Sequence, residues 1–515
     1  MTFATGLKGA ALGLLLASTT LASGSIAGPQ DNSLRVAFTE EILELDYNYT
    51  TKREYIIISD LIDDNLFRID PATNEVVPSL ATGYTYIDDR TIEVKLREGV
   101  TFHDGRPFRA QDVAYTYNFI VTPESESHAG PTHANWLKNA EAVDDLTVRF
   151  HLLSDYPLAI RDLSTRVRIR PEGTYHNDKG EMVKNAVALN PVGLGPYMVE
   201  SFQPSQEVVL KKFPGYFEGG AKGQPVLDTI VIRTIPDVGT QQAELMAGGI
   251  DWMYNVPLDV AESLGATPLA KHLSGPDLRV SFVVLDAAGY TDADGPLTNV
   301  QVRRAMNHAV NRAEIAQYLI GGSAQAIHTP CHPAQFGCDQ DVPNYEFDRE
   351  KAKALLAEAG YPNGFPLDLW AYRERPVAEA VAADLTAAGI QVNLRYVQLA
   401  SLDQARKDRQ IPAYIGTWGS GGTADTAAIA NIHFNDTTDR NLTGNPKVTE
   451  LMLGAEATSK PEERLALYSE AVNLIADQAY WLPLVSYSVN YLVNPELDFP
   501  LSEDGLPRLF AASWQ

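Results

Sequence analysis

Past residue 28 the chain runs for roughly 490 residues without another long apolar segment, whereas single cores stop growing near about 250 to 300 residues. A chain of this length divides its apolar side chains between more than one core. The material for that is present, since 45% of residues are hydrophobic and 21% charged, ordinary proportions for a globular protein. The first residues are organised differently. Lys8 precedes an apolar run over 10–17, and small and polar residues fill 18–28, the order of a secretory signal peptide. That run is too short to span a bilayer, which takes about 20 apolar residues. Ser25 and Ala27 suit cleavage before Gly28, with Ala22 and Gly24 as a competing site, and no cysteine stands there to carry lipid. The expectation is a leader over 1–27 and a mature protein exported to the periplasm without a lipid anchor.

The net charge of −25, from 66 acidic and 41 basic residues, opposes binding to a phosphate backbone, and no Lys/Arg cluster of the nucleic-acid-binding kind stands out. Nucleic acid is not an expected partner. H-E-x-x-H, Walker A and G-x-S-x-G patterns are absent, which removes the readiest hydrolase readings. No catalytic residue and no cofactor is expected.

Strand and helix signals alternate. Residues 34–38, 90–96, 146–152, 197–202, 207–212 and 229–235 read as strands, several with polar and apolar side chains at a period of two. Residues 110–119 and 241–247 read as helices, the second feeding a short strand over 250–254. Around Ser274, Gly275 and Pro276 the chain is expected to cross into another lobe. Beyond it, Asn311-Arg-Ala-Glu314 has the form of a capping box, with the helix stopping at Gly321. Helices follow over 351–359, stopped by Gly360, and from Pro376 to Gly389; Ser459, Pro461 and Glu462 open another. Residues 392–399 and 414–418 read as strands between them, and the apolar tail 484–493 as a strand that returns to the first lobe. This is an α/β pattern.

Leu96-Arg-Glu-Gly-Val-Thr-Phe-His-Asp-Gly-Arg-Pro-Phe-Arg-Ala-Gln-Asp-Val113 closely resembles the signature segment of the peptide/nickel class of extracellular solute-binding proteins that serve ABC importers. Asn190-Pro-Val-Gly-Leu-Gly-Pro-Tyr197, the helix-like Asn299 to Arg312, Tyr345 to Gly364 with its Leu355-Leu-Ala-Glu-Ala-Gly360 core, and Pro78-Ser-Leu-Ala81 are similar to further segments of that family, in its order. The resemblance implies an α/β, two-lobed periplasmic binding protein fold with an extra subdomain in the first lobe. Mapped here, 28–60, 190–272 and 485–515 form a discontinuous first lobe, 61–189 its inserted subdomain, and 273–484 the second lobe. It also implies a monomer that captures a small or peptide-like solute between the lobes and passes it to an inner-membrane ABC permease. The motifs themselves read as scaffold: His103 and Asp104 as turn residues, Gly193 and Gly195 as sites of unusual backbone angle or close packing.

Candidate ligand contacts come from the same resemblance. Trp418 opens a glycine-rich loop at the position of the family's ligand-facing aromatic and acidic stretch. Peptide-binding members place an aspartate three residues later; here it is Gly421, with Asp425 the next carboxylate, so clamping of a free amino terminus is in doubt. Arg373 and Arg375 flank Glu374, and one of them resembles the arginine that holds a ligand carboxylate in dipeptide-selective relatives, with a surface ion pair as the competing reading. Tyr47 and Tyr49 follow Leu45-Asp46, where relatives often have Leu-Asp-Pro, and stand between pocket wall and domain packing. His433 is either a contact or a scaffold histidine. Together these residues lead us to expect a carboxylate-bearing solute such as a peptide or amino-acid conjugate, held by Arg375 and Trp418 without a metal. Oligosaccharide or metal-chelate binding, and an exported hydrolase or chaperone-like role, are the alternatives. Cys331 and Cys338, the only cysteines, suit a disulfide in an oxidising compartment, while His328, Cys331, His332 and Cys338 offer a rival zinc or nickel ligand set.

Overall fold

The computed structural model describes residues 29–515 apart from 51, 72, 74, 185, 421, 422 and 459. The leader 1–27, its cleavage point before Gly28, Gly421 and Ser459 therefore lie outside the described residues.

Alternation of buried and exposed side chains builds the sheets. In Glu207–Lys212, Val208 and Leu210 turn inward, and they pair with Ile232 and Ile230 of Thr229–Thr234. That strand lies parallel to Ser33–Phe38, and the series continues into one ten-stranded sheet. Its order is 391–396, 366–371, 413–418, 271–285, 481–493, 252–254, 33–38, 229–234, 207–212 and 197–203. Two separate cores pack on its two ends, one around Leu34, Val36, Ile230 and Trp252, the other around Val283, Leu369, Ala413 and Leu482. The result is a bilobed α/β fold.

Among the described residues, only Lys271–Leu285 and Trp481–Val493 run the length of both halves, antiparallel, from Lys271 opposite Val493 to Val284 opposite Trp481. Their register breaks between Asp277 and Val280 and again before Phe282, directly after the 274–276 segment expected to cross between lobes. An extra residue bends a strand and raises its twist, so the two lobes join at a bend. Strands 81–88, 91–96, 147–152 and 137–144 form a separate antiparallel sheet, covered by helix Ala110–Ile120 through Val113 and Tyr117, against Val94 and Phe150.

Several expectations need adjustment. The strand expected over 392–399 is Gln391–Tyr396, because Leu399 already starts helix Leu399–Lys407. Asn311 caps through Glu314 N (3.3 Å), but its own amide is taken by Asp384 Oδ2 (3.0 Å), so Glu314 does not complete the box. The chain then passes into a π-helix over Ile315–Ile320 and stops at Gly321, with φ 72°. Helix Arg53–Ile62, unread in the sequence because its β-branched Ile56-Ile-Ile run reads as strand, is set by burial of Ile57, Ile58, Leu61 and Ile62.

Candidate functional site

The segment Ser164-Thr-Arg-Val-Arg-Ile-Arg170, which leaves a turn over 163–165, carries arginines at every second position from Arg166 and lies against the start of the chain. Arg170 is fully buried between Asp63 (Nη2 to Oδ2, 3.2 Å) and Asp46 (3.3 Å), and the Tyr175 hydroxyl donates to Asp46 (2.9 Å). Arg168 is gripped differently. Asn48 takes its amide and donates to its carbonyl, both at 3.0 Å. Its guanidinium donates to Ser59 Oγ (3.1 and 3.0 Å), the Thr165 carbonyl (3.0 Å) and Asn65 Oδ1, and lies 4.6 Å over the Tyr47 ring. None of these partners is charged. Arg166 is exposed, with no hydrogen bond or ion pair among the described residues.

Arg166 and Arg168, but not Arg170, line a cavity of about 160 Å³ together with Ser164, Thr165, residues near the start of the chain, the 504–508 turn and, from the other lobe, Thr423 and Ala424. Two other arginines reach it already neutralised: Arg68 is bidentate on Asp60 (2.6 and 3.2 Å), and Arg508 on Asp504 (2.7 and 2.6 Å). Burial would push the Asp60 carboxyl up, yet Arg68 and the buried Lys222 hold it well below the usual range. Burial pushes the His128 imidazole down to about 4, so this cavity residue is neutral near pH 7. Arg168 feels Asp60, already held by Arg68 and Lys222, only without direct contact, and Arg166 has no ion pair among the described residues, so these two arginines have no carboxylate hydrogen-bonded to them.

Asp425, next to that wall, is almost wholly buried. Arg464 Nη2 donates to both its oxygens (3.1 and 2.9 Å), the Ala427 amide to Oδ1 (3.0 Å) and the Tyr468 hydroxyl to Oδ1 (3.4 Å). Arg161, from the part of the chain that carries the four-stranded sheet, stands 3.9 Å from Oδ2.

The residues singled out in the sequence do not converge. Tyr47 lines the cavity; Tyr49 packs edge-on against Tyr175, 6.1 Å away, and is not part of the wall. Arg375 is exposed at the first residue of helix Arg375–Ala387, 3.5 Å from Glu379 and 4.2 Å over Tyr396. Arg373 donates to Thr417 Oγ1 (2.9 Å), an atom it shares with Arg279 (3.4 Å), while Glu374 takes the Tyr487 hydroxyl. Trp418 donates from Nε1 to the Ala428 carbonyl (2.8 Å). His433, 2% exposed, sits among the rings of Phe282, Trp418 and Trp481 at 5.3, 5.4 and 5.2 Å. Cys331 and Cys338 are joined, which spends both thiolates of the rival metal set in a covalent bond. The Arg166-Val-Arg-Ile-Arg170 alternation marks the segment in the sequence but does not by itself point to the cavity, which Arg166 and Arg168 line and Arg170 does not.

A cavity lined by loops from both lobes, beside a bend in the two strands that traverse them among the described residues, defines a bilobed solute-binding protein. The chain belongs to the bacterial extracellular solute-binding proteins, family 5, whose model matches residues 75–441. Members of this family are non-catalytic binding components of periplasmic ABC importers. The chain is 27% identical over 495 residues to the glutathione-binding protein GsiB of Salmonella paratyphi A, covering 91% of this chain and 92% of the relative. It is 26% identical over 466 residues to heme-binding protein A of Haemophilus influenzae, covering 85% and 83%. The solved structure of HbpA2 from Haemophilus parasuis matches 94% of this chain and 100% of its own with a TM-score of 0.82 at 23% identity.

Proposed function

We propose that this protein captures a small anionic organic solute, bearing at least one carboxylate, in the cavity around Arg166 and Arg168 and delivers it to an inner-membrane ABC permease. In this reading it acts as an exported, unlipidated monomer. Residues 28–60, 190–272 and 485–515 form one lobe, with 61–189 inserted into it, and 273–484 form the other.

The observation that carries the proposal is the charge inventory of the cavity wall. Arg68 and Arg508 have carboxylate partners, but Arg168, buried and held only by neutral groups, and Arg166 have none. A buried guanidinium whose nearest carboxylate, Asp60, is already committed to Arg68 and Lys222 is only partly compensated, and an incoming carboxylate completes that compensation with bidentate geometry. The carboxylate expected from sequence is retained, but its partner moves from Arg375 to Arg166 and Arg168. Asp425 is saturated by Arg464 and Tyr468, which supports a handle other than a free amino terminus. An uncharged oligosaccharide would leave both arginines unanswered.

Mass spectrometry of solute released from gently purified protein tests the class: an acidic compound is expected, and a neutral one overturns it. Glutathione is a rational probe, because it carries two carboxylates and the Salmonella relative is named for binding it. In calorimetric titration, Arg166→Ala, which removes an exposed charge, is expected to weaken the acidic solute by about 1 kcal/mol, with a smaller loss at high salt. Arg375→Ala, which removes an exposed i,i+4 pair, should change affinity by less than about 0.5 kcal/mol.

A further inference from the structure

The loop closed by Cys331 and Cys338 does not line the cavity but is attached to its second-lobe wall, through the side chain of Gln335 and the backbone of Phe336. Gln335 is 4% exposed. Its Oε1 accepts from the His332 amide (2.9 Å), a bond internal to the loop. Its Nε2 faces outward to three acceptors on the segment that walls the cavity: Ser420 Oγ (2.8 Å), the Thr423 carbonyl (3.0 Å) and the Asp425 carbonyl (3.2 Å). The next residue extends the attachment, since Phe336 N donates to the Ala424 carbonyl (3.0 Å) and the Phe336 carbonyl accepts from Thr426 N (3.0 Å). Arg464, which holds Asp425, lies 4.8 Å over the Phe336 ring.

We propose that Gln335 is the positioning residue for the second-lobe wall of the solute cavity: held by the disulfide-closed loop, it sets where Thr423 and Ala424 stand and thereby the affinity for solute. It touches no solute itself. A carboxamide suits the task because one end is fixed by the loop and the other offers two N–H groups to carbonyls that otherwise have to be satisfied in a buried setting. The proposal rests on the reading of this cavity as the solute site, but its geometric half stands independently.

Two variants separate the ends of the side chain. Gln335→Glu keeps an acceptor for His332 N and loses the donors; Gln335→Met keeps approximate volume and loses both. Hydrogen exchange on the ligand-free, disulfide-intact protein is expected to show the Phe336 and Thr426 amides exchanging about tenfold faster in both variants, with strand 413–418 unchanged. Glutathione titrated into the same proteins is expected to bind about tenfold more weakly or worse, with the Arg166 contribution intact in a double variant. Wild-type exchange at Phe336 and Thr426 in Gln335→Glu overturns the proposal, as does acceleration spread evenly over the molecule, which marks a general stabilising role. Faster local exchange with unaltered glutathione affinity also overturns it. If glutathione fails to bind the wild type, the charge reading of the cavity fails for this solute, while the exchange result still decides the positioning.

Discussion

At the scale of single residues, two glycines show how close packing dictates identity. A Cβ on Gly195 would stand 2.5 Å from the Ile62 carbonyl carbon, and one on Gly193 2.0 Å from the Ile62 oxygen. His103 spans the pair, with Nε2 3.0 Å from the Gly195 carbonyl and Nδ1 accepting from Gly193 N at 3.3 Å, a neutral tautomer consistent with burial pushing its pKa down. Gly195→Ala is expected to lower stability to urea by about 1–3 kcal/mol through overpacking; an unchanged midpoint would count against it. The scaffold role of these motifs was therefore legible. Arg166 and Arg168 were not, because a pattern of alternating arginines says nothing about which carboxylates fold back onto which of them: Arg170 receives two, Arg168 none. His433 carries a pH consequence. Neither of its ring nitrogens has a hydrogen-bond partner among the described residues, and burial holds its pKa well below the ordinary value. The unfolded chain takes up a proton near pH 6.5 that the folded one refuses, so stability is flat above about 6.5 and falls as pH drops below it. His128, His328 and His332, each pushed down to about 4, add to that slope between about 6.5 and 4. Urea midpoints across this range test the sign, and His433→Leu is expected to flatten the curve.

At the scale of elements, caps and stops were the most readable features and reciprocal side-chain contacts the least. Gly360 and Gly389 end their helices with φ of 94° and 109°, as their positions after apolar helical runs implied. The capping box at Asn311 was half right, since the competing acceptor, Asp384, comes from a helix more than seventy positions away. Asn311→Ala is accordingly expected to cost about 1 kcal/mol in thermal or urea unfolding and Glu314→Ala close to nothing. Equal effects would restore the reciprocal box. The disulfide element also has a measurable share. Its loop carries Gly337, at φ 78°, where a Cβ would meet the Tyr468 ring at 2.3 Å, so the turn and the helix bearing Tyr468 are mutually fitted. Replacing Cys331 and Cys338 together by serine is expected to lower stability by about 2–3 kcal/mol; a smaller loss would mean that this fit holds the loop unaided.

At the scale of the whole molecule, the alternation of strands and helices made the α/β class readable, whereas the continuity of the ten-stranded sheet was not, because it depends on pairings between residues more than two hundred positions apart. The lobes also touch away from the bend, where Arg161 approaches Asp425. Asp425 keeps Arg464 when Arg161 is removed, so Arg161→Ala should leave the melting temperature nearly unchanged but enlarge the radius of gyration in solution scattering without solute. An identical scattering curve would deny the contact any part in lobe approach. The position of Trp481–Val493 has a consequence for the order of events in folding. This strand lies between Trp252–Tyr254 and Lys271–Leu285, in the middle of the sheet. Without it, Trp252–Tyr254 and Lys271–Leu285 each present an unmatched edge, so the two halves of the sheet are joined only when that segment pairs with both. A chain lacking that strand would be left as two unjoined half-sheets rather than one sheet missing an edge.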